Sequence, residues 1–285
     1  MTNPHRITLQ AAPARHVVAY EWRAQHAQGV IILAPAMAVP QAFYQSFCEW
    51  LCQQGYHVIS FDYYGIGASI NKPLPQVSTT VTDWATYDAA AVIDYAVSQH
   101  PELPLLWFAH SIGGQLFGMV PNNQHVKHMI TVATGTGYWK DTKPQLKYKS
   151  WVLWRAITPW LIPLAGYFPG RKLGIVGDVP AAAMQQWRSW CLHPDYLVGA
   201  EQYYQRYANI TTPITSLSFT DDEMLTAHNI NAMHDFYANA PQQRHVIAPA
   251  DINASRIGHF AVFRKSYDQH WPALFAEHIQ AAFKA

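Results

Sequence analysis

The chain has 285 residues, half of them apolar and 14% aromatic, with 19 Lys plus Arg against 18 Asp plus Glu for a formal charge of +1. That length supports one large buried core, or a core carrying an insertion, and the apolar share excludes a largely disordered protein. The balanced charge gives no support to a nucleic-acid partner, and three cysteines (Cys48, Cys52 and Cys191) are too few for a disulfide scaffold.

The N-terminus lacks the apolar stretch of a secretory signal. The apolar run Val30 to Val39 is too short to span a bilayer and is interrupted by Pro35. A cytoplasmic protein without stable membrane insertion is the expectation. Strands are predicted at Ile7–Leu9, Val17–Trp22 and Val30–Leu33. Phe43 to Gln53 follows as a helix, since Phe43, Phe47, Trp50 and Leu51 fall at helical spacing. Cys48 and Cys52 share a face of that helix and read as buried small residues, because no His/Cys cluster completes a metal site. Gly55 ends the helix, and Tyr56–Ser60 is the next strand.

The alternation continues with a helix over Asp83–Val97, a strand at Leu105–Phe108, a helix over Ile112–Met119 and a strand at Met129–Ala133. Apolar strands alternating with helices imply an α/β domain with a mainly parallel, eight-stranded sheet covered on both faces. Active-site loops then gather at the C-terminal edge of the strands. After Gly137 the rhythm breaks. Residues 138–209 hold six of the 11 tryptophans and six prolines, too long for an ordinary connection and too apolar for a linker. We expect a helical lid insertion there, between a first core part (1–137) and a second (210–285). The sheet pattern resumes at Ile214–Phe219, with a helix around Ala227–Ala238, a strand at Arg244–Ile247 and a final helix over Tyr267–Ala282.

The sharpest local signal is Leu105-Leu-Trp-Phe-Ala-His-Ser-Ile-Gly-Gly114. A buried strand runs straight into Ser111, and a helix can start directly after it. Such a tight turn strains the serine backbone and requires small neighbours two positions either side, here Ala109 and Gly113, with Gly114 easing helix packing. A serine hydroxyl is a poor nucleophile near neutrality and needs a base. His259 occupies the loop after the last strand, where Gly258 permits close approach. His110 is expected to pack or hydrogen-bond behind the turn. His228, His234 and His245 lack the required loop position.

A third group must hold the imidazole tautomer and stabilise its positive charge. The segment after Phe219 offers Asp221, Asp222 and Glu223; Asp222 is preferred, with Asp221 the alternative. Donors for a developing oxyanion would be the backbone N–H of Ile112 and of Met37 in Leu33-Ala-Pro-Ala-Met-Ala38, since Pro35 cannot donate.

These residues resemble the α/β-hydrolase superfamily, in its lipase-, esterase- and S33-peptidase-like branch, over nearly the whole chain. The family's frequent Asp-x-Arg-Gly-x-Gly-x-Ser segment resembles Asp62-Tyr-Tyr-Gly-Ile-Gly-Ala-Ser69, with Tyr64 in place of the arginine, and the order Ser111, Asp222, His259 fits the class. Glycine is usual where this chain has Ala109, and Pro35-Ala36 stands where His-Gly is common. The resemblance implies the α/β-hydrolase fold and two-step hydrolysis of an ester through an acyl-enzyme, with no metal or nucleotide cofactor. An aminopeptidase, amidase, thioesterase or acyltransferase would share the triad, and a noncatalytic ligand-binding protein could inherit it. The aromatic lid favours a small apolar or aromatic acyl substrate. For a substrate amino terminus, Asp178, Asp195 or Glu201 could supply charge, though a solvated surface is the plainer reading of each. The aromatic population also leaves a homodimer open.

Overall fold

The computed structural model describes residues 4–175 and 177–284. Eight strands form one sheet: β1 (His5–Ala12), β2 (Arg15–Trp22), β3 (Val30–Ala34), β4 (His57–Phe61), β5 (Leu105–His110), β6 (Val126–Val132), β9 (Ile214–Phe219) and β10 (Gln242–Ile247); β7 (Tyr167–Phe168) and β8 (Val179–Pro180) make a separate small pair. The order across the large sheet is β1-β2-β4-β3-β5-β6-β9-β10. β1 with β2 and β2 with β4 run antiparallel, and every later pairing is parallel. The sheet is thus mainly parallel, as the alternating pattern implies.

The central strands are apolar on both faces because both faces are covered. Along β5, Leu105, Trp107 and Ala109 join the core under the helical run 81–99 and the lid, whereas Leu106 and Phe108 join the core under Gln45–Gln53 and the C-terminal helix Glu277–Lys284. Period-two alternation therefore aims His110, in step with Leu106 and Phe108, towards the second of these layers.

Between β6 and β9 the chain is mostly helical. A continuous helical run covers residues 144–165, followed by Ala181–Leu192, Tyr196–Ala200 and Tyr204–Ala208. Tryptophans tie these helices together: Trp154 meets Trp187 edge-on at 5.0 Å, and Trp187 Nε1 donates to the Tyr196 hydroxyl at 2.9 Å. Tyr196 in turn donates to Gln115 Oε1 at 3.0 Å, joining this layer to the helix after Ser111.

Candidate active site

Ser111 sits where β5 turns into the helix Ile112–Gln115, with φ 54° and ψ −115°. A side-chain-bearing residue is strained there, and three backbone contacts hold it. Its N–H donates to Val132 O at 2.9 Å, while its carbonyl accepts from Gly114 N at 3.1 Å and from Thr134 Oγ1 at 2.9 Å. A Cβ on Gly113 would lie 2.5 Å from the Ala34 carbonyl oxygen, and one on Gly114 would lie 2.7 Å from Thr134 Oγ1. Both glycines thus let the helix close onto the ends of β3 and β6.

His259 is buried, and its Nδ1 donates to Asp222 Oδ2 at 2.8 Å. The other Asp222 oxygen accepts from Met224 N at 2.7 Å and Leu225 N at 2.9 Å. Burial acts to raise the Asp222 carboxyl, but the His259 hydrogen bond and charge, with those two amides, outweigh it and hold it below the ordinary carboxylate value. The carboxylate form that orients an imidazole is therefore the favoured one.

Asp221 and Glu223 do not touch the imidazole. Asp221 accepts from Ile257 N at 2.8 Å and Gly258 N at 3.2 Å, and Glu223 accepts from His259 N at 2.9 Å. All three acids of the segment thus grip one loop at different atoms. Gly258, at φ +67°, gives that loop its left-handed turn.

His110 lies behind the nucleophile, bridging two loops. Its Nε2 donates to the His259 carbonyl at 3.0 Å, which leaves Nδ1 to accept from the Tyr44 hydroxyl at 2.7 Å. That hydroxyl accepts from Ala36 N at 3.0 Å. Burial first, then the nearby His259 ring, pushes the His110 pKa well below the ordinary value, so the ring is neutral. A continuous chain of hydrogen bonds therefore runs from Ala36, beside Met37, to the backbone of His259. Tyr44 carries no sequence signal of this role.

Among the described residues no hydrogen bond joins Ser111 Oγ to His259, and no protein acceptor takes the N–H of Met37 or Ile112. Catalytic hydrogen bonds of this kind often tighten only with substrate bound, and two unspent amides are what an oxyanion site requires. Asp62 holds its loop together. Its Oδ1 accepts from Gln41 N at 2.7 Å and its Oδ2 from Ala68 N at 2.8 Å. Among the described residues there is no cluster of His, Cys, Asp and Glu suited to a metal ion.

Residues 25–249 match the model of a family described as serine aminopeptidase, S33. The chain belongs to that family. It is accordingly a serine hydrolase of the α/β-hydrolase superfamily. Asp195 is exposed and takes the Tyr204 hydroxyl at 2.5 Å; Asp178 accepts from Arg171 N at 3.1 Å. Glu201 differs from its expected solvated role: it is partly buried and accepts from Trp190 Nε1 at 2.7 Å and Gln186 Nε2 at 2.9 Å, because two lid side chains need a buried acceptor. No curated protein matches this S33 chain in sequence.

Solved structures share its fold. A soluble variant of monoglyceride lipase from Saccharomyces cerevisiae, in complex with a substrate analogue, has a TM-score of 0.70 at 14% identity, covering 100% of this chain and 95% of that one. A highly thermostable carboxyl esterase from Bacillus coagulans, in complex with glycerol, gives 0.62 at 12% identity, with 99% and 100% covered. The thioesterase domain from the curacin biosynthetic pathway gives 0.58 at 15%, with 100% of both chains covered.

Proposed function

We propose that this S33-family chain hydrolyses a small-molecule carboxylic ester with an apolar or aromatic acyl group, with Ser111 as nucleophile, His259 as general base and acid, and Asp222 as the orienting carboxylate. The observation that carries the reading is the buried 2.8 Å pair of His259 Nδ1 and Asp222 Oδ2, on a loop that His110 ties to the turn holding Ser111 at positive φ. With Nδ1 donating, the imidazole presents an unprotonated Nε2 to the nucleophile. His259 would take the Ser111 proton as Oγ attacks the acyl carbon, and the N–H groups of Met37 and Ile112 would receive the negative oxygen. The protonated imidazole then gives its proton to the departing alcohol, leaving Ser111 acylated. Water attacks the acyl-enzyme as His259 removes its proton, and the acid leaves with Ser111 restored.

An ester is favoured over a peptide amino terminus because Asp178, Asp195 and Glu201 are each engaged in local structure. Residues 138–209 would act as the lid whose aromatic side chains shape the acyl pocket. The scarcity of cysteine supports a cytoplasmic setting. The test is covalent labelling by a fluorophosphonate, with Ser111→Ala as control, beside turnover of p-nitrophenyl esters and aminoacyl amides. Labelling at Ser111 with ester turnover is expected. An unlabelled but folded chain would overturn the mechanism, and cleavage of the amides alone would overturn the substrate class.

A further inference from the structure

A surface helix of a globular protein normally turns its apolar stripe inward and its charges outward. The helical run 144–165 is apolar on both sides. Its inner side sends Trp154, Ile157 and Ile162 into the core. Its outer side displays Tyr148, Trp160 and Leu164 at 76%, 72% and 81% exposure, with Trp151 half exposed between them. Of the ten exposed large apolar side chains among the described residues, six lie between positions 148 and 175. Such a concentration is unusual for scattered surface residues, and it marks a docking face.

Charge tells what could cover it. From Thr142 through Gly177 the sequence has six Lys and Arg and no Asp or Glu, so the rest of the chain, thirteen basic against eighteen acidic, carries −5. The overall +1 conceals this division. Lys147, Lys149, Arg155, Arg171 and Lys172 are all exposed. A second copy of the chain would bring two such basic faces together in a symmetric dimer, which like-charge repulsion opposes. Exposed tryptophan and leucine flanked by basic side chains match the headgroup layer of an anionic bilayer, where indole rings insert and ammonium groups remain among phosphates.

We infer that the outer face of residues 144–175 docks on the surface of an anionic phospholipid bilayer. The attachment is peripheral: among the described residues no helix is long and apolar enough to cross a membrane. Trp160 and Leu164 supply apolar insertion, and the surrounding Lys and Arg supply attraction. The inference concerns binding and is independent of what Ser111 does, so its test reads no turnover.

The experiment is vesicle flotation of the full chain with phosphatidylcholine alone and with added phosphatidylglycerol, at low and high salt. The wild-type chain should float with the anionic vesicles, release at high salt and bind phosphatidylcholine poorly. A Trp160→Ser, Leu164→Ser double variant, altered only at exposed positions, should bind about tenfold more weakly or not at all. Lys147→Gln with Lys149→Gln should weaken binding and flatten its salt dependence. Failure of the folded wild-type chain to bind anionic vesicles, or binding by both double variants as tight as that of the wild type, would overturn the inference. So would a dimer in sedimentation velocity that the Trp160→Ser, Leu164→Ser change dissolves, since the face would then belong to a second copy.

Discussion

Asp221 and Asp222, adjacent in sequence, hold the same histidine loop by different atoms: Asp222 takes the His259 imidazole at 2.8 Å, and Asp221 takes the backbone amides of Ile257 and Gly258. The two carboxylates should therefore fail differently. Asp222→Asn places an amide against Nδ1, favouring the wrong tautomer, and should lower kcat by on the order of 10³–10⁴. Asp221→Asn keeps an oxygen for one amide and should cost about tenfold or less in kcat, with about 1–2 kcal/mol of stability. Ester kinetics and urea melts of the two variants check this, and a larger kcat loss at Asp221 would reverse their roles.

Tyr44 and His110 give a second prediction. The Tyr44 hydroxyl both accepts from Ala36 N and donates to His110, so Tyr44→Phe strands a buried amide and a ring nitrogen together. Each unsatisfied group costs about 1–3 kcal/mol. We expect lower stability and a fall in kcat with KM little changed, because the loop after β3 and the His259 loop lose their common support. A double-mutant cycle with His110→Phe should show coupling, since the two act through one hydrogen bond. Strict additivity of the two kcat effects would count against a shared positioning role.

How much of this was legible beforehand depended on the range of the interaction. The strand entering Ser111, the small residues at 109 and 113 and the loop position of His259 are local patterns, and periodicity alone places them on one sheet edge. Asp222 could be preferred but not separated from Asp221 by sequence, since the distinction lies in which carboxylate faces the imidazole. Tyr44 was invisible: its partner His110 is 66 positions away, and a tyrosine on a short helical turn reads as core. Glu201 is hard to read for the same reason, its partial burial being set by Trp190 and Gln186 on a neighbouring lid helix.

His234 contributes, with the buried His110, to the acid sensitivity of the fold. It is buried, its Nδ1 donates to Ile230 O at 2.7 Å, and its Nε2 accepts from Thr131 Oγ1 at 2.9 Å. Burial is the main cause that lowers its pKa from 6.5 to about 4. The unfolded chain therefore binds a proton that the folded chain refuses between those values. Stability must fall as pH drops from 6.5 towards 4, by roughly 3 kcal/mol from this group. Urea melts across that window should show the slope, and His234→Asn, which cannot ionise, should flatten it. An unchanged slope in a folded variant would assign the acid sensitivity elsewhere.

The turn at Ser111 makes the sharpest steric claim. Gly113 has ordinary backbone angles, so alanine there meets no conformational objection, only a spatial one: its Cβ would lie 2.5 Å from the Ala34 oxygen and 2.9 Å from the Ala34 carbon. Both are backbone atoms of a central strand paired to β4 and β5, so neither can swing aside as a side chain tip would. Relief must come from lifting the helix off β3, which moves Ile112 N away from Met37 N and parts the two proposed oxyanion donors. Gly113→Ala should thus cost about 1–3 kcal/mol from overpacking, and lower kcat far more than an equally destabilising change remote from the turn. Gly174→Ala is the control. Among the described residues its Cβ would meet nothing within 4 Å, so the φ of +64° is what opposes it, at about 1–2 kcal/mol, and kcat should hold. If the two variants lost stability and kcat in the same proportion, close approach of the helix to β3 would not be what sets the donor pair.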